Sequence, residues 1–248
     1  MVDFTSRYYP ESRFGGFADV DGTVVFYTRV NSFITADSVV LDVGCGVGVY
    51  GSDPAGTRRK LRIMKGKCLK VIGLDVDPQA RENPFLDEFH LVEEGPWPVE
   101  AGSVDVIIAD NMLEHVAEPD RFFAECNRVL KKGGRLFIRT PNVWSYFGLL
   151  SRLVPDKFHH GFLARIKHPR EEFDVFPTYY RCNGIRKLRK LLRAHGFDAC
   201  VYGYEAEPKY LSFSRAAFFL GVLHQRYAPR FLKLGIFAFA EKIEHQCP

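Results

Sequence analysis

A carboxylate and three glycines lie close together in residues 39–48 of this sequence. The run Val39–Val43 is apolar except for Asp42, which predicts a strand buried on both faces of a parallel sheet. The glycines that follow remove side chains where the backbone must bend sharply, approach a ligand closely and open a helix. They are Gly44, Gly46 and Gly48. The pattern predicts a turn that holds a nucleotide-like ligand.

The charge of Asp42 bears on which ligand this turn holds. Gly46–Gly51 also satisfies the dinucleotide pattern G-x-G-x-x-G, which is a weak signal when it stands alone. A pyrophosphate needs amide donors at this point, and the carboxylate of Asp42 would repel it. A ligand that carries an amino group would instead be attracted. The sequence therefore favours an amine-bearing ligand over a dinucleotide.

A second acidic residue ends the next predicted strand. The run Leu69–Asp75 is apolar in its middle, and it follows the first strand by about 30 residues, as a βαβ unit requires. A carboxylate at the tip of that strand can accept two hydrogen bonds from the vicinal hydroxyls of a ribose. Val76 comes next and would present an apolar surface to an adenine ring. Asp75 is thus the second anchor predicted for a nucleoside.

Further elements must position these residues. Apolar residues at helical spacing predict a helix across Phe26–Ile34, which an irregular aromatic arm precedes. Apolar runs predict a third strand at Phe89–Glu94 and a fourth at Ser103–Asp110. The next helix should begin at Pro119 and stop at Lys131–Gly134, because lysines followed by glycine are typical of a helix C-terminus. A basic stretch that begins at Arg58 is most simply a solvated helix face.

Four segments resemble, in their order and spacing, the class I S-adenosylmethionine-dependent methyltransferases. Leu41–Gly48 looks like motif I of that family, and Asp110–Val116 looks like its segment after the fourth strand. Arg128–Leu136 and Thr140–Asn142 resemble its later motifs. The resemblance implies S-adenosylmethionine as the cofactor, whose methionine portion carries an α-amino group and a sulfonium but no phosphate.

The resemblance also implies which residues bind that cofactor. Asp42 serves the amino-acid portion, Asp75 the ribose, and a polar residue after the fourth strand lies beside the methionine. Glu93 or Glu94 falls where the family reads the adenine amino group. The full predicted set is Asp42, Gly44, Cys45, Gly46, Gly48, Asp75, Val76, Glu93, Glu94, Asp110, Asn111 and Met112.

The predicted fold class is α/β: a seven-stranded, doubly wound, mostly parallel sheet of the Rossmann-like methyltransferase type, with an α-helical and aromatic cap insertion. The remaining strands are predicted at Arg135–Thr140, Ala199–Tyr204 and Leu234–Lys242, the last one antiparallel by the resemblance. An apolar stripe predicts a helix at Ile185–Arg193, and Tyr210–Arg230 is also helical in pattern.

We interpret the 248 residues as a single methyltransferase domain, because the chain is too short for two full domains and a linker. An N-terminal arm and helix occupy residues 1–38, and the cofactor-binding core occupies residues 39–142. An acceptor cap and insertion follow at residues 143–233, and the last strand at residues 234–243. The alternative is that the C-terminal half simply covers the sheet.

The cap supplies the candidate catalytic residues. Deprotonation of a methyl acceptor needs a base of suitable type, and His168 and Tyr179 are the candidates, with His159 and His160 as further ones. A carboxylate acceptor would need no base, so the sequence leaves this choice open.

The composition limits the partners. The 34 basic and 30 acidic residues give a net charge of +4, too balanced to predict nucleic-acid binding. The six cysteines and the histidines show no metal-site spacing, and we expect no metal. The start of the sequence lacks a signal-peptide pattern, and no apolar run is long enough to span a bilayer. These features predict a cytoplasmic protein, and they leave peripheral membrane contact and the oligomeric state open.

The sequence thus predicts a methyltransferase that acts on an oxygen or nitrogen of a small-molecule, glycan-linked or lipid-like acceptor. One alternative is a non-catalytic S-adenosylmethionine-binding module of the same fold, which a damaged cofactor motif would favour, whereas the motif here is intact. Another is a nicotinamide-dependent oxidoreductase, which Asp42 and the segment after the fourth strand disfavour.

Overall fold

Seven strands form one sheet in the structure, which is a computed structural model that describes residues 4–146, 148–149 and 176–243. The strands are β1 Val39–Val43, β2 Lys70–Asp75, β3 Glu88–Leu91, β4 Val104–Asp110, β5 Leu130–Pro141, β6 Phe197–Tyr204 and β7 Gly235–Lys242. Their order is β3-β2-β1-β4-β5-β7-β6. Neighbours among β1 to β5 are parallel, whereas β7 is antiparallel to both β5 and β6. The predicted mostly parallel α/β sheet is confirmed.

Helices cover both faces of this sheet. The described ones are α1 Thr5–Tyr8, α2 Gly22–Asn31, α3 Gly56–Arg62, α4 Pro119–Val129, α5 Ile185–Ala194 and α6 Arg215–Tyr227. On one face, Phe123 of α4 and Leu188 of α5 are buried with alternate residues of the strands. On the other face, Phe26 and Val30 of α2 are buried together with Met64, which follows α3. The sheet is therefore doubly wound, as the sequence predicts.

The end of α4 differs from the prediction. The predicted helix stop at Lys131–Gly134 is wrong, because α4 has already ended and these residues belong to β5. Val104 of β4 pairs with Leu130, whereas Val106 pairs with Arg135, so the four residues form a bulge. One of their two glycines has a φ of 70°, a left-handed conformation that glycine adopts readily.

The N-terminal arm is more ordered than the sequence predicts. It contains α1 and a 3₁₀ turn at Pro10–Arg13. Tyr9 and Ala18 of the arm are buried in one cluster with Phe218 and Val222 of α6. The aromatic residues that make this arm look irregular in sequence thus have a packing partner, and that partner is 200 or more residues away along the chain.

Candidate functional site

Strand alternation brings the three predicted carboxylates to one face of the sheet. Successive side chains of a strand point to opposite faces. On β1, β2 and β4, the residues two or four positions before the carboxylates are buried under α2 and α3. Asp42, Asp75 and Asp110 therefore lie on that same face, near the carboxyl ends of parallel neighbouring strands, where open α/β sheets bind their ligands.

A cleft opens at this point. Its empty volume is about 440 Å³ when the space open to solvent is counted. Two of the three carboxylates line it, together with part of the glycine turn, one arginine and several aromatic residues. The lining residues are Tyr27, Val40, Asp42, Gly44, Cys45, Tyr50, Arg62, Met64, Val71, Phe85, Ile108 and Asp110.

The glycine turn is fixed in place by its neighbours. Gly44, Gly46 and Gly48 have φ values of 73°, 52° and 78°, so each adopts a conformation that other residues rarely take. The backbone N–H of Gly46 donates to Oδ2 of Asp75 at 2.8 Å. A Cβ at Gly44 would lie 2.7 Å from the Cβ of Met112. The turn thus joins the tips of β1 and β2 and lies directly against the segment after β4.

Asp110 is held by its own partners. Arg139 donates from Nε to Oδ1 at 2.5 Å and from Nη2 to Oδ2 at 2.6 Å. The Tyr27 hydroxyl donates to Oδ2 at 2.9 Å. Burial raises the pKa of Asp110, but the adjacent Arg139 guanidinium outweighs it and holds that pKa below its ordinary value. Asp110 is therefore an ionised carboxylate that the protein itself already satisfies.

Asp42 has a different environment. No residue of the described ranges donates a hydrogen bond to its carboxylate, although it lines the same cleft. Burial, and then the charge of Asp110, raise the pKa of Asp42 to about 7, while Arg62 opposes this rise. A cationic group placed in the cleft would stabilise the ionised form of Asp42.

Arg62 is a cation that the sequence analysis did not place in the cleft. Its guanidinium lies 4.6 Å from the ring centroid of Tyr50 and 5.7 Å from that of Tyr27. Its Nη2 is 3.6 Å from Oδ2 of Asp110, which is longer than a hydrogen bond. Its Nε is buried without a hydrogen-bond partner among the described residues. The predicted solvated face is thus wrong for Arg62.

It is also wrong for Arg58. This residue pairs with Asp53 at 2.8 Å and with Asp21 at 3.0 Å, and only 15% of its side chain is exposed. Basic residues four positions apart share one face of a helix. The packing of α3 turns that face toward the cleft and α2, which the local pattern of charges could not indicate.

The residues predicted for the adenine lie outside the cleft lining. Val76 follows β2 and is 57% exposed. Glu93 and Glu94 are exposed in the loop after β3. Asn111 has a φ of 54° and donates from Nδ2 to Asp110. Val76, Glu93 and Glu94 border the tips of β2 and β3, the side of the edge on which Asp75 also lies, whereas Asn111 follows β4 on the other side of β1.

Of the candidate catalytic residues, the structure describes Tyr179. Tyr179 is 43% exposed, and its backbone N–H donates to the carbonyl oxygen of Glu114 at 2.8 Å. His168, and likewise His159 and His160, lie outside the described residues.

A different acid and imidazole lie in contact beyond the end of β6. Oε2 of Glu205 is 2.7 Å from Nδ1 of His224 on α6. Burial raises the pKa of Glu205 to about 7, which Lys233 opposes, while burial and then Lys233 lower the pKa of His224. A carboxylate that orients an imidazole in this way leaves the other ring nitrogen available for proton transfer. The two residues are 19 positions apart, so no motif in the sequence joins them.

The amino-acid sequence of this chain is similar to those of known methyltransferases. The family model of a methyltransferase domain matches residues 26–201. A ubiquinone biosynthesis O-methyltransferase of Nitrosococcus oceani is 34% identical over 197 residues, which cover 75% of this chain and 78% of that protein. A probable S-adenosylmethionine-dependent methyltransferase of Mycolicibacterium smegmatis is 34% identical over 110 residues, or 42% of this chain. That match and one to a Streptomyces fradiae protein span 38% and 30% of the relatives' own lengths.

Solved structures share the fold. The S-adenosylmethionine-dependent methyltransferase of Methanosarcina mazei superposes with a TM-score of 0.54 at 19% identity, covering 87% of this chain and 97% of that one. At this identity the likeness concerns the architecture of the sheet and its helices.

Proposed function

Because this chain belongs to the family of S-adenosylmethionine-dependent methyltransferases, we propose that it transfers the cofactor's methyl group to an oxygen or nitrogen of a small-molecule, glycan-linked or lipid-like acceptor. The observation that carries the proposal is that Asp42 and Arg62 line one cleft, next to the glycine turn. Neither side chain has a hydrogen-bond partner of its own there among the described residues.

The presence of these two opposite charges in the cleft fits the amino-acid end of the cofactor. That end carries an ammonium and a carboxylate, and the cleft offers one carboxylate and one guanidinium. Asp42 accepts from the ammonium, and Arg62 donates to the carboxylate through its planar fork. The pyrophosphate of a nicotinamide dinucleotide carries no cation to match Asp42, which disfavours the oxidoreductase alternative.

The remaining cofactor contacts follow from the edge of the sheet. Asp75 accepts one backbone N–H from Gly46 through Oδ2 and one from Asp77 through Oδ1, and each oxygen retains a lone pair for a ribose hydroxyl. Val76 and the loop with Glu93 and Glu94 would receive the adenine. Asn111 and Met112 would border the methionine portion beside the turn.

The chemical step needs little from the protein beyond positioning. A lone pair of the acceptor attacks the methyl carbon, the bond from carbon to sulfur breaks, and S-adenosylhomocysteine leaves. Holding donor and acceptor in line can lower the barrier by roughly 7–11 kcal/mol. A hydroxyl acceptor also loses a proton. His168 and Tyr179 stay the candidate bases, and His224, whose Nδ1 lies 2.7 Å from Oε2 of Glu205, is a further one.

The proposed acceptor class is taken from the reaction named for one relative. The Nitrosococcus oceani protein is named an O-methyltransferase of ubiquinone biosynthesis, and its match to this chain covers 78% of its own length. By analogy, a hydroxyl on a ring with an apolar substituent is the acceptor that we would test first. A non-catalytic cofactor-binding module remains the alternative to this assignment.

Calorimetry with a set of cofactor analogues tests the donor site. Arg62→Met should weaken S-adenosylmethionine by about 10- to 100-fold, because a charge-assisted hydrogen bond contributes roughly 1.5–3 kcal/mol. It should leave the decarboxylated analogue unaffected, since that ligand has no carboxylate to lose. Lys60→Met is the matched control, because Lys60 is an exposed cation on the same helix. Wild-type protein that binds NAD as tightly as S-adenosylmethionine would overturn the proposal.

A transfer assay separates the enzyme from the binding module. With labelled S-adenosylmethionine and a set of hydroxylated aromatic acceptors, the wild-type protein should release S-adenosylhomocysteine. Glu205→Gln and His224→Asn should lower kcat while calorimetric cofactor affinity stays the same. Tight cofactor binding without turnover on any acceptor would favour the non-catalytic module.

A further inference from the structure

The outer face of α6 is apolar, although it faces away from the protein core. The buried side of this helix carries Phe218 and Val222, which pack under the N-terminal arm. On the opposite side, Ala216, Phe219, Leu220, Leu223 and Tyr227 recur three or four positions apart and form one stripe. We call this stripe, with Phe213 before it and Phe231 after it, the α6 outer face.

The exposure of this face is large. Phe213 is 68% exposed, Leu220 63% and Tyr227 77%. Phe231 is 60% exposed and Phe219 45%. Single exposed apolar residues are ordinary on a protein surface, but a contiguous set of this size marks a contact surface.

The charged residues within the segment that carries this face are of one sign. Residues 208–233 contain five basic residues and no acidic residue. Arg215, Arg226 and Arg230 are exposed beside the apolar stripe. A basic border around aromatic and aliphatic side chains is the arrangement of an interfacial amphipathic helix, whose cations meet lipid phosphates while its apolar face enters the acyl boundary.

We propose that the α6 outer face binds the surface of a membrane that contains anionic lipid. The 13 residues of α6 are too few to cross a bilayer, and none of the described helices is long and apolar enough to do so. The helix therefore lies in the plane of the interface. This proposal rests on the outer face of α6 and not on His224 of the same helix, so its test is separate from that of the proposed function.

The basic helix α5 provides an internal comparison. Arg186, Lys187, Lys190 and Arg193 are exposed on α5, and its large apolar residues Leu188 and Leu192 are buried. If attraction of cations to anionic lipid were sufficient, α5 would bind as well as α6. The proposal requires the apolar stripe in addition to the charge.

Vesicle sedimentation tests this inference with the whole 248-residue chain. Wild-type protein should sediment with phosphatidylcholine vesicles that contain phosphatidylglycerol, and much less with vesicles of phosphatidylcholine alone. The double variant Leu220→Gln/Tyr227→Gln should lower the vesicle affinity by about tenfold or more. Arg215→Gln/Arg226→Gln should lower it on anionic vesicles only.

Two control variants test whether vesicle binding responds to any loss of an exposed apolar side chain or of surface charge. Leu69→Gln removes a side chain that is 67% exposed at the opposite end of the sheet, and it should leave vesicle binding unchanged. Lys190→Gln/Arg193→Gln on α5 should have little effect. Equal losses of vesicle affinity from the α5 and α6 variants would overturn the proposal. Wild-type protein that does not sediment with anionic vesicles would also overturn it. A dimer that Leu220→Gln/Tyr227→Gln dissociates would likewise overturn it, in favour of a second copy of the chain.

Discussion

Two aspartates end neighbouring parallel strands on the same face of the sheet, yet they have opposite environments. Asp110 at the tip of β4 receives two hydrogen bonds from Arg139 and one from Tyr27. Asp42 near the tip of β1 receives none from the described residues. The pKa of Asp110 is held below its ordinary value by Arg139, whereas burial raises the pKa of Asp42 to about 7.

The comparison separates two uses of a buried charge. Asp110 and Arg139 complete one another, so that pair is part of the folded structure. Asp42 has no such partner among the described residues, so its ionised form destabilises the folded protein, and a cationic ligand would relieve this destabilisation. Local destabilisation of this kind is typical of functional sites. We therefore expect substitutions at β4 and β5 to act on stability, and substitutions at Asp42 to act on binding.

The largest effect is expected when Asp110 loses its cation. Arg139→Met leaves a buried carboxylate without its bidentate partner, which costs about 3–5 kcal/mol of unfolding free energy. Urea denaturation measures this loss. The matched control is Arg135→Met on the same strand, because its ion pair with Glu241 is exposed and contributes at most about 1 kcal/mol. Equal losses from both variants would remove the distinction between a buried and a surface pair.

The next effect concerns affinity at Asp42. Asp42→Asn removes the charge that we assign to the cofactor's ammonium, and S-adenosylmethionine should bind about 10- to 100-fold more weakly. Titration calorimetry at neutral pH measures the change. Asp37→Asn, an exposed residue in the turn before β1, is the control and should not alter affinity. Unchanged affinity in Asp42→Asn would contradict the role given to this carboxylate.

The contrast also shows what the sequence could predict. The positions of Asp42, Asp75 and Asp110 follow from local patterns, because a buried strand and a glycine turn can each be predicted from adjacent residues. The roles of Arg62 and Arg139 do not, since which face of a helix or strand turns inward depends on packing partners far along the chain.

The same limit explains the other differences. The lysines and glycines of residues 131–134 suit a helix end as well as a strand bulge, and only the register between β4 and β5 decides between them. The pair of Glu205 and His224 forms because α6 folds back over the end of β6. The catalytic prediction for His168 falls outside the described residues and stays a prediction.

Stability should respond to pH through Asp42. Its folded-state pKa of about 7 lies above the ordinary value of 3.8, so the folded protein binds this proton more tightly than the unfolded chain does. The penalty for ionising it grows as the pH rises between these two values, and it is complete above the higher one. Asp42→Asn removes the penalty, so we expect its Tm advantage over wild type to be larger at about pH 8 than at about pH 5. An advantage that shrinks with rising pH would show that Asp42 is stabilised, not penalised, in the folded state.

The smallest effect should come from Tyr27, and it tests the comparison most finely. Tyr27 lines the cleft beside Asp42, but its hydroxyl donates to Asp110. Tyr27→Phe leaves both bonds from Arg139 in place, so unfolding free energy should fall by only about 1 kcal/mol. Tyr204→Phe, which removes a hydroxyl that donates to the Val20 carbonyl at 3.0 Å, is the control of equal chemistry. Cofactor affinity should stay within about threefold of wild type in both variants, because neither hydroxyl is assigned to the ligand. If Tyr27→Phe instead weakened S-adenosylmethionine as much as Asp42→Asn does, Asp110 and its partners would belong to the binding site, and the two aspartates would share one role.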